Sequence, residues 1–232
     1  MDKINEPIFH LERLKENILF LNDFFTQKKL AWTFVIKAFC NYSPEFISEL
    51  VKLPINSVAS DNEQHLKLFK GDKTDIETWY LNYSGTNVDY NWVDVELTHS
   101  LLNIQKKTCL MLALDNDRYG SQITDPTNNI FKNCCSRVGA YLNCEKMPTR
   151  SFFKKWSSFN FPAEFTQSLG TSVTFEHATY LQDNRVNHFR IGEIALTGRL
   201  IGSNNKIKGM RHDVFTSTQP VSYHFLSNLK NK

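Results

Sequence analysis

Apolar residues near the start of the chain recur every three or four positions, at Ile8, Leu11, Leu14, Ile18, Leu21 and Phe25. This spacing places them on one face, so residues 7–28 are predicted to form an amphipathic helix. The next segment, AWTFVIKAF (31–39), is short, apolar and rich in aromatic and β-branched residues. Such a run is typical of a strand that is buried on both faces.

Capping residues indicate where the next helices begin. Ser43 followed by Pro44 offers an N-cap with proline at the first helical position, which predicts a helix to about Lys52. Ser60 and Glu63 have the spacing of a capping box, which predicts another helix through residue 69. Further helical stretches are predicted near residues 98–106, 121–133, 148–158 and 173–182.

Strand-like segments alternate with these helices. Besides residues 31–39, strands are predicted at 56–60, 78–83, 93–97, 108–114, 138–142, 163–167 and 187–191. Strands separated by helices favour a parallel sheet, and eight of them favour a closed (β/α)8 barrel of the TIM type. The alternation is weakest at residues 84–92 and ends near residue 200. We therefore predict a barrel domain over residues 1–200 and a tail over residues 201–232.

Length and charge agree with a single α/β barrel and argue against two classes of partner. The 232 residues lie within the range of about 200–250 that such barrels commonly occupy. The net charge of +3 comes from 27 basic and 24 acidic residues spread along the chain, so no nucleic-acid or anionic membrane partner is predicted. No apolar run approaches the ~18 residues of a membrane span, and the first residues lack the apolar centre of a signal peptide.

The five cysteines indicate a reducing compartment. Their odd number and irregular spacing suit free thiols, so we expect a cytoplasmic protein. Cys134, Cys135 and Cys144 could be combined with His177 or His188 into a zinc site. Because the spacing lacks a CxxC or HxxxH pair, no metal is predicted.

Lys37 interrupts the apolar strand segment 31–39. Lysine is almost never fully buried without a partner. Active sites of parallel barrels lie at the carboxyl ends of the strands, where this side chain is expected. Desolvation at such a place favours a neutral amine, which can condense with an aldehyde. The alternative is a lysine whose ammonium group reaches solvent from the strand end.

Two later segments suggest a phosphate-bearing ligand. SLGTS (168–172) is interpreted as a turn of small residues before a helix, where backbone N–H groups can approach a phosphate. HFRIGE (188–193) places Arg190 and Gly192 at the end of the eighth predicted strand. Barrel phosphate sites frequently use the loops that follow strands seven and eight.

Five segments resemble, in the same order, segments of alanine-racemase-like enzymes. They are VIKAFC (35–40), SVASDNEQHLKLFK (57–70), LALDNDRYG (112–120), VGAYLNCEKMPT (138–149), and SLGTS (168–172) followed by VNHFRIGEIALTGR (186–199). The chain is thus similar to the fold-type III enzymes that depend on pyridoxal 5′-phosphate. By motif it is most similar to ornithine racemases, although Asn62 stands where their second segment usually has arginine.

The resemblance implies a site for pyridoxal 5′-phosphate. Lys37 would carry the cofactor as a Schiff base and move the Cα proton of an amino-acid substrate, with ornithine or another basic amino acid favoured. Arg190 would lie against the pyridine nitrogen and keep it unprotonated, because arginine does not readily give up its proton. Arg118 would order the cofactor phenolate or a substrate carboxylate. The residues implied in cofactor binding are Lys37, Ser168, Gly170, Thr171, Ser172, Arg190, Ile191, Gly192 and Glu193.

Racemisation also requires an acid or base on the opposite face of the substrate. In alanine racemases it is a tyrosine from a C-terminal β domain of the partner subunit, and residues 210–225 resemble only the first strand of that domain. Tyr42, Tyr119 and Tyr223 are candidates for this role. The resemblance implies a possible homodimer. The alternatives are a single-domain protein that holds the cofactor without catalysis, and a barrel retained as an interaction protein.

Two further features have alternative interpretations. His188 lies beside Arg190 and faces the same way by strand alternation, so it either contacts the cofactor or is a hydrogen-bonded core histidine. The phenylalanine-rich stretch FFKKWSSFNF (152–161) is either a partner surface or a helix that packs on the barrel. Asp115 and Asp117 either pair as acid and base or end a strand beside Arg118.

Overall fold

The computed structural model describes residues 8–39, 42–72, 75–81, 90–94, 108–112, 114, 137–142, 149–170, 172, 175–201 and 203–216. The strands of this part are β1 Ile8–Phe9, β2 Ala31–Val35, β3 Ser57–Ser60, β4 Glu77–Tyr80, β5 Tyr90–Asp94, β6 Thr108–Leu112, β7 Arg137–Tyr141, β8 Thr166–Gly170, β9 His188–Ile191 and β10 Phe215–Thr216. Its α-helices are α1 Leu11–Gln27, α2 Pro44–Val51, α3 Glu63–Asp72, α4 Arg150–Ser158, α5 Ala178–Asp183 and α6 Glu193–Thr197.

Among the described residues, strands β2 to β9 form one parallel sheet in sequence order. Each strand pairs with the next, and β9 pairs back with β2, where Thr33 lies opposite Arg190. The strand pairing therefore runs around a closed circuit, and the prediction of a parallel α/β barrel-like domain is confirmed. The connections at 82–89, 95–107 and 115–136 lie outside the described residues, so the helices predicted near 98–106 and 121–133 are not tested.

The predicted first helix begins later than the apolar spacing indicated. Ile8 and Phe9 pair antiparallel with Phe215 and Thr216, so α1 starts at Leu11. From there the spacing is correct, because Leu14, Ile18, Leu21 and Phe25 are at most 1% exposed. Ile8 therefore fits the apolar spacing of the helix although it lies in β1.

Capping side chains begin the helices that follow. Ser43 Oγ accepts a hydrogen bond from the Phe46 N–H at 3.4 Å, as predicted for α2. For α3 the predicted capping box is wrong, since Ser60 is the last residue of β3. Instead, Asn62 Oδ1 accepts from the Gln64 N–H at 3.0 Å just before the helix begins.

Two strand predictions differ from the structure in ways that matter for the site. The strand predicted at 163–167 is β8 at Thr166–Gly170, because the chain first makes a turn in which the Phe165 N–H bonds to the Pro162 carbonyl at 3.0 Å. The strand predicted at 31–39 ends at Val35, and Lys37–Phe39 form a short 3-10 turn. SLG in SLGTS is therefore strand, and Lys37 lies beyond its strand.

The described residues after position 200 pack against the start of the chain. Asn17, which is fully buried in α1, donates to the carbonyl of Arg211 at 2.8 Å and accepts from its N–H at 2.6 Å. Gly198 has φ +60°, and a Cβ there would overlap the Arg211 carbonyl oxygen, so this turn requires glycine. The domain boundary at residue 200 stays a prediction.

The core lies mainly between the barrel wall and its helices. In α4, Phe152, Phe153 and Trp156 are buried against it, so FFKKWSSFNF is largely a packing helix, as the second interpretation held. The strands enclose a smaller apolar cluster of Ala59, Trp79, Cys109 and Met111. None of the described helices has the length and apolar character that a membrane-spanning segment requires.

Candidate functional site

The carboxyl ends of β2 and β3 bring Lys37 and Asp61 together. Lys37 Nζ lies 3.5 Å from Asp61 Oδ2, and the lysine side chain is 52% exposed. The predicted desolvation of Lys37 is thus not found among the described residues. Asp61 was not predicted for the site. Its other oxygen, Oδ1, is buried and has no hydrogen-bond partner among the described residues.

A small polar cup follows strands β8 and β9. The Ser172 hydroxyl, which is almost fully buried, accepts long hydrogen bonds from the N–H groups of Gly192 at 3.3 Å and Ile194 at 3.4 Å. Gly192 and Ser172 were predicted for phosphate binding, whereas Ile194 was missed. Of the other predicted residues, Ile191 ends β9 with its side chain fully buried, and Thr171 lies outside the described residues.

Gly192 allows the ends of β9 and β2 to approach closely. A Cβ at this position would lie 2.9 Å from the Val35 carbonyl oxygen, a distance that real Cβ atoms do not adopt. Phe34 of β2 lies opposite Ile191 of β9, so the segments that follow these neighbouring strands leave the sheet at the same level. The segment after β2 continues to Lys37, and the segment after β9 continues to Gly192. The barrel therefore positions the predicted amine and the polar cup at adjacent strand ends.

Glu193, the first residue of α6, carries a half-buried carboxyl group. Burial raises the pKa of this carboxyl above its ordinary value. The neutral form of Glu193 is thus favoured relative to an exposed glutamate, which lowers the repulsion that an anion bound at Gly192 would meet.

Arg190 extends inside the barrel and is 2% exposed. Its Nη2 donates to the Ala140 carbonyl at 2.7 Å, and its Nη1 donates to Ser168 Oγ at 3.2 Å. Two glycines make room for it. A Cβ on Gly170 would lie 2.6 Å from Arg190 Nε, and one on Gly139 would lie 2.9 Å from Nη1. Ser168 and Gly170, predicted for phosphate binding, are therefore neighbours of the arginine within β8.

His188 is a hydrogen-bonded core histidine, as the second interpretation held. It is 2% exposed, its Nδ1 lies 2.8 Å from Ser168 Oγ, and its Nε2 lies 2.9 Å from Thr33 Oγ1. Its ring also stacks on Trp79 with a centroid distance of 5.0 Å. Burial, followed by the positive charges of Arg137 and Arg190, holds the pKa of His188 well below its ordinary value.

Further polar contacts link Thr33 to the amino ends of β4 and β7. Thr33 Oγ1 lies 2.7 Å from Ser57 Oγ, and Ser57 donates to Glu77 Oε2 at 3.2 Å. Arg137 forms an ion pair with Glu77 at 2.6 Å and lies over the Trp79 ring at 4.7 Å. This network was missed. Its signal was the presence of polar residues in strands that are otherwise apolar.

The described part of the structure does not test several of the residues predicted for the site. Arg118, Asp115, Asp117, Tyr119 and Tyr223, together with Cys134, Cys135 and Cys144 of the zinc alternative, lie outside the described residues. Tyr42 packs on Phe46 with a centroid distance of 4.4 Å, and burial raises the pKa of its hydroxyl. In the part of the chain that the structure describes, no three His, Cys, Asp or Glu residues are grouped as metal ligands.

The fold of the chain is similar to that of solved alanine racemases. The alanine racemase of Bartonella henselae, solved with covalently bound pyridoxal phosphate, matches with a TM-score of 0.64 at 12% identity, covering 90% of this chain and 65% of that one. The enzymes of Oenococcus oeni and Streptomyces coelicolor A3(2) match with TM-scores of 0.62 and 0.59 at 11% and 13% identity. These matches cover 91% and 89% of this chain and 64% of each enzyme.

The comparisons confirm an alanine racemase-like fold. At these identities they carry the fold alone, and the chain spans about 65% of the length of the Bartonella enzyme. No protein-family profile and no curated protein sequence matches the chain. The similarity to ornithine racemases therefore stays a prediction from the sequence segments.

Proposed function

We propose that this protein binds pyridoxal 5′-phosphate covalently through Lys37. The observation that carries the proposal is the position of Lys37 and of the Ser172–Gly192 cup at the ends of neighbouring strands. The fold supports it, since a solved structure with the same fold has covalently bound pyridoxal phosphate. A primary amine can condense with an aldehyde. A hydroxyl and backbone N–H groups can donate hydrogen bonds to a phosphate.

The described residues fit this cofactor in three respects. The Ser172 hydroxyl and the N–H groups of Gly192 and Ile194 would bind the phosphate, and the raised pKa of Glu193 would weaken the repulsion between its carboxyl group and the phosphate. Because Gly192 lies against Val35, no side chain at position 192 separates the cup from the strand that leads to Lys37. Arg190, held by Ala140 and Ser168, would donate a hydrogen bond to the pyridine nitrogen, as the resemblance implies.

Ser168 and Gly170 serve the site through Arg190 in this proposal. Ser168 accepts a hydrogen bond from the guanidinium at 3.2 Å, and Gly170 leaves space beside Nε. Arg118, Ile191 and Thr171 keep their predicted roles as proposals. Asp61 holds the free Lys37 ammonium at 3.5 Å before the cofactor binds.

The proposed reaction is proton exchange at Cα of an amino acid, as in a racemase, with ornithine or another basic amino acid as substrate and a homodimer as the assembly. The cofactor supplies the electron sink that stabilises a carbanion at Cα. Lys37 would take or return the proton on its own side of the substrate. The substrate preference rests on the sequence segments that resemble ornithine racemases.

A second candidate is cofactor binding without racemisation. Tyr42 is the candidate for the opposite acid or base that lies among the described residues. It is packed between aromatic rings and its pKa is raised by burial, which makes it a poor proton donor. Among the described residues this observation counts against Tyr42 as the second acid or base, which is the condition that the second candidate function requires.

Covalent binding is tested by adding pyridoxal 5′-phosphate to the purified protein and reducing it with borohydride. We expect a visible absorbance band that reduction abolishes, and a cofactor mass on the peptide that contains Lys37. The Lys37→Ala variant should lose both. Lys67→Ala is the matched control, since Lys67 is similarly exposed and pairs with Glu63 at 2.9 Å. Equal labelling of Lys37→Ala and the wild type contradicts the proposal.

Catalysis is tested separately, by exchange of the Cα hydrogen in heavy water. D- and L-ornithine and D- and L-alanine are incubated with the cofactor-loaded protein. Deuterium at Cα of either enantiomer, with formation of the other, supports the racemase. Covalent binding without exchange supports the second candidate, and a protein that binds no cofactor supports the interaction-protein alternative.

A further inference from the structure

The polar side chains inside the barrel form one continuous chain of hydrogen bonds. It runs from Glu77 through Ser57 and Thr33 to His188, and through Ser168 to Arg190. The distances along it are 3.2, 2.7, 2.9, 2.8 and 3.2 Å. Its two ends differ in kind, because a carboxylate only accepts hydrogen bonds and a guanidinium only donates them.

The acceptor at one end sets the direction of the first links. Glu77 is paired with Arg137, so its carboxylate accepts and Ser57 must donate its single hydroxyl proton to it. Ser57 Oγ can then only accept from Thr33, which in turn uses its own hydroxyl proton. Thr33 Oγ1 must therefore accept from His188, which requires a proton on Nε2.

The neutral state of His188 sets the direction of the remaining links. Burial and two neighbouring guanidinium groups disfavour the charged ring. A neutral ring with a proton on Nε2 has a bare Nδ1, so Nδ1 accepts and Ser168 donates to it. The free lone pair of Ser168 Oγ is then available to Arg190 Nη1, which is the contact that the structure shows.

We propose that this chain of fixed direction makes His188 and Thr33 positioning residues for Arg190. His188 is assigned as the Nε2–H tautomer, and its acceptance of the Ser168 proton keeps the Ser168 lone pair turned toward the guanidinium. Stacking on Trp79 fixes the plane of the imidazole. The assignment concerns the protein without cofactor. Its consequence for the cofactor rests on the proposed function.

The tautomer is tested by 15N NMR of histidine side chains in the cofactor-free protein, with His188→Gln identifying the signal. We expect a neutral ring protonated on Nε2 from about one pH unit above to one below the ordinary histidine pKa of about 6.5. A proton on Nδ1, or a charged ring in this range, overturns the assignment.

Two variants at Thr33 test the positioning role. Thr33→Val removes the hydroxyl at nearly constant shape, and Thr33→Ser keeps it. In Thr33→Val, His188 should shift toward the Nδ1–H tautomer. Solvent exchange of the Arg190 Nη1 protons should then rise roughly three- to tenfold, the factor for one net hydrogen bond. Thr33→Ser should resemble the wild type. Equal exchange in the two variants overturns the positioning role.

The cofactor-loaded protein supplies a further readout. In Thr33→Val the absorbance band of the bound cofactor should shift, and in Thr33→Ser it should not. A band that is identical in both variants contradicts the consequence for the cofactor. A protein that binds no cofactor contradicts the proposed function, while the NMR measurements still decide the tautomer and the positioning of Arg190.

Discussion

Replacing Gly170 by alanine introduces one methyl group into the space that Arg190 occupies. The new Cβ would lie 2.6 Å from Nε, 2.8 Å from Nη2 and 3.1 Å from Cζ of the guanidinium. Since Gly170 has an ordinary strand conformation, the perturbation is steric rather than a matter of backbone strain. The guanidinium must move, and its bonds to Ala140 and Ser168 must lengthen or break.

The cost follows from those contacts. Overpacking a close-packed interior typically costs about 1–3 kcal/mol, and a hydrogen bond from a charged group contributes about 1.5–3 kcal/mol. We expect Gly170→Ala to lower the free energy of unfolding by about 2–4 kcal/mol. Gly71 is the matched control, because a Cβ there meets nothing within 4 Å. Gly71 lies in α3, where alanine should stabilise by up to about 1 kcal/mol.

The assay is urea unfolding of both variants, each also made in an Arg190→Leu background. If the guanidinium is the obstacle, the penalty of Gly170→Ala should largely disappear when Arg190 is absent. Gly139→Ala should keep most of its penalty in that background, because its Cβ also meets the Ser168 carbonyl oxygen at 2.9 Å. An undiminished penalty of Gly170→Ala in the Arg190→Leu background refutes the assignment of Gly170 to Arg190.

Two predictions concern titration. Burial lowers the pKa of His188, so below about pH 6.5 the unfolded chain binds a proton at this residue and the folded protein does not. The free energy of unfolding should therefore fall by about 1.4 kcal/mol per pH unit below about pH 6.5. Urea unfolding across this range should show a shallower fall in His188→Gln, and an unchanged slope would contradict a neutral His188. Burial raises the pKa of Glu193, so the folded protein favours the protonated carboxyl group. The stability of the fold should therefore fall as pH rises through that pKa and the carboxyl group ionises. Glu193→Gln should therefore unfold at a higher urea concentration than the wild type at neutral pH, and a lower midpoint would indicate that the carboxylate is stabilised.

The strand pattern and the position of Lys37 could be predicted from local signals. A short apolar run between helical segments indicates a parallel strand whatever its partners are, and Lys37 stood out because an amine is costly in such a run. Ser172 and Gly192 were both implied in cofactor binding by the family resemblance, and no local signal showed that the two meet. The structure places them at 3.3 Å.

Other features of the site could not be predicted because they depend on register. The shift of β8 from 163–167 to Thr166–Gly170 moved Ser168 and Gly170 from a presumed loop into the barrel wall. Asp61 reaches Lys37 only because β2 and β3 are neighbours, which no local pattern encodes. The role of Gly139 likewise depends on where the Arg190 side chain lies across β7.

By itself the sequence determined the parallel α/β class, most strand positions and a lysine at the carboxyl end of the first barrel strand. These follow from hydrophobic period and from the cost of burying charge, which act over a few residues. Only the tertiary structure decided that Lys37 pairs with Asp61, that Ser172 meets Gly192 and Ile194, and that Arg190 ends a hydrogen-bond chain beginning at Glu77. Those contacts join residues far apart in the chain, and strand register and barrel closure decide which of them meet.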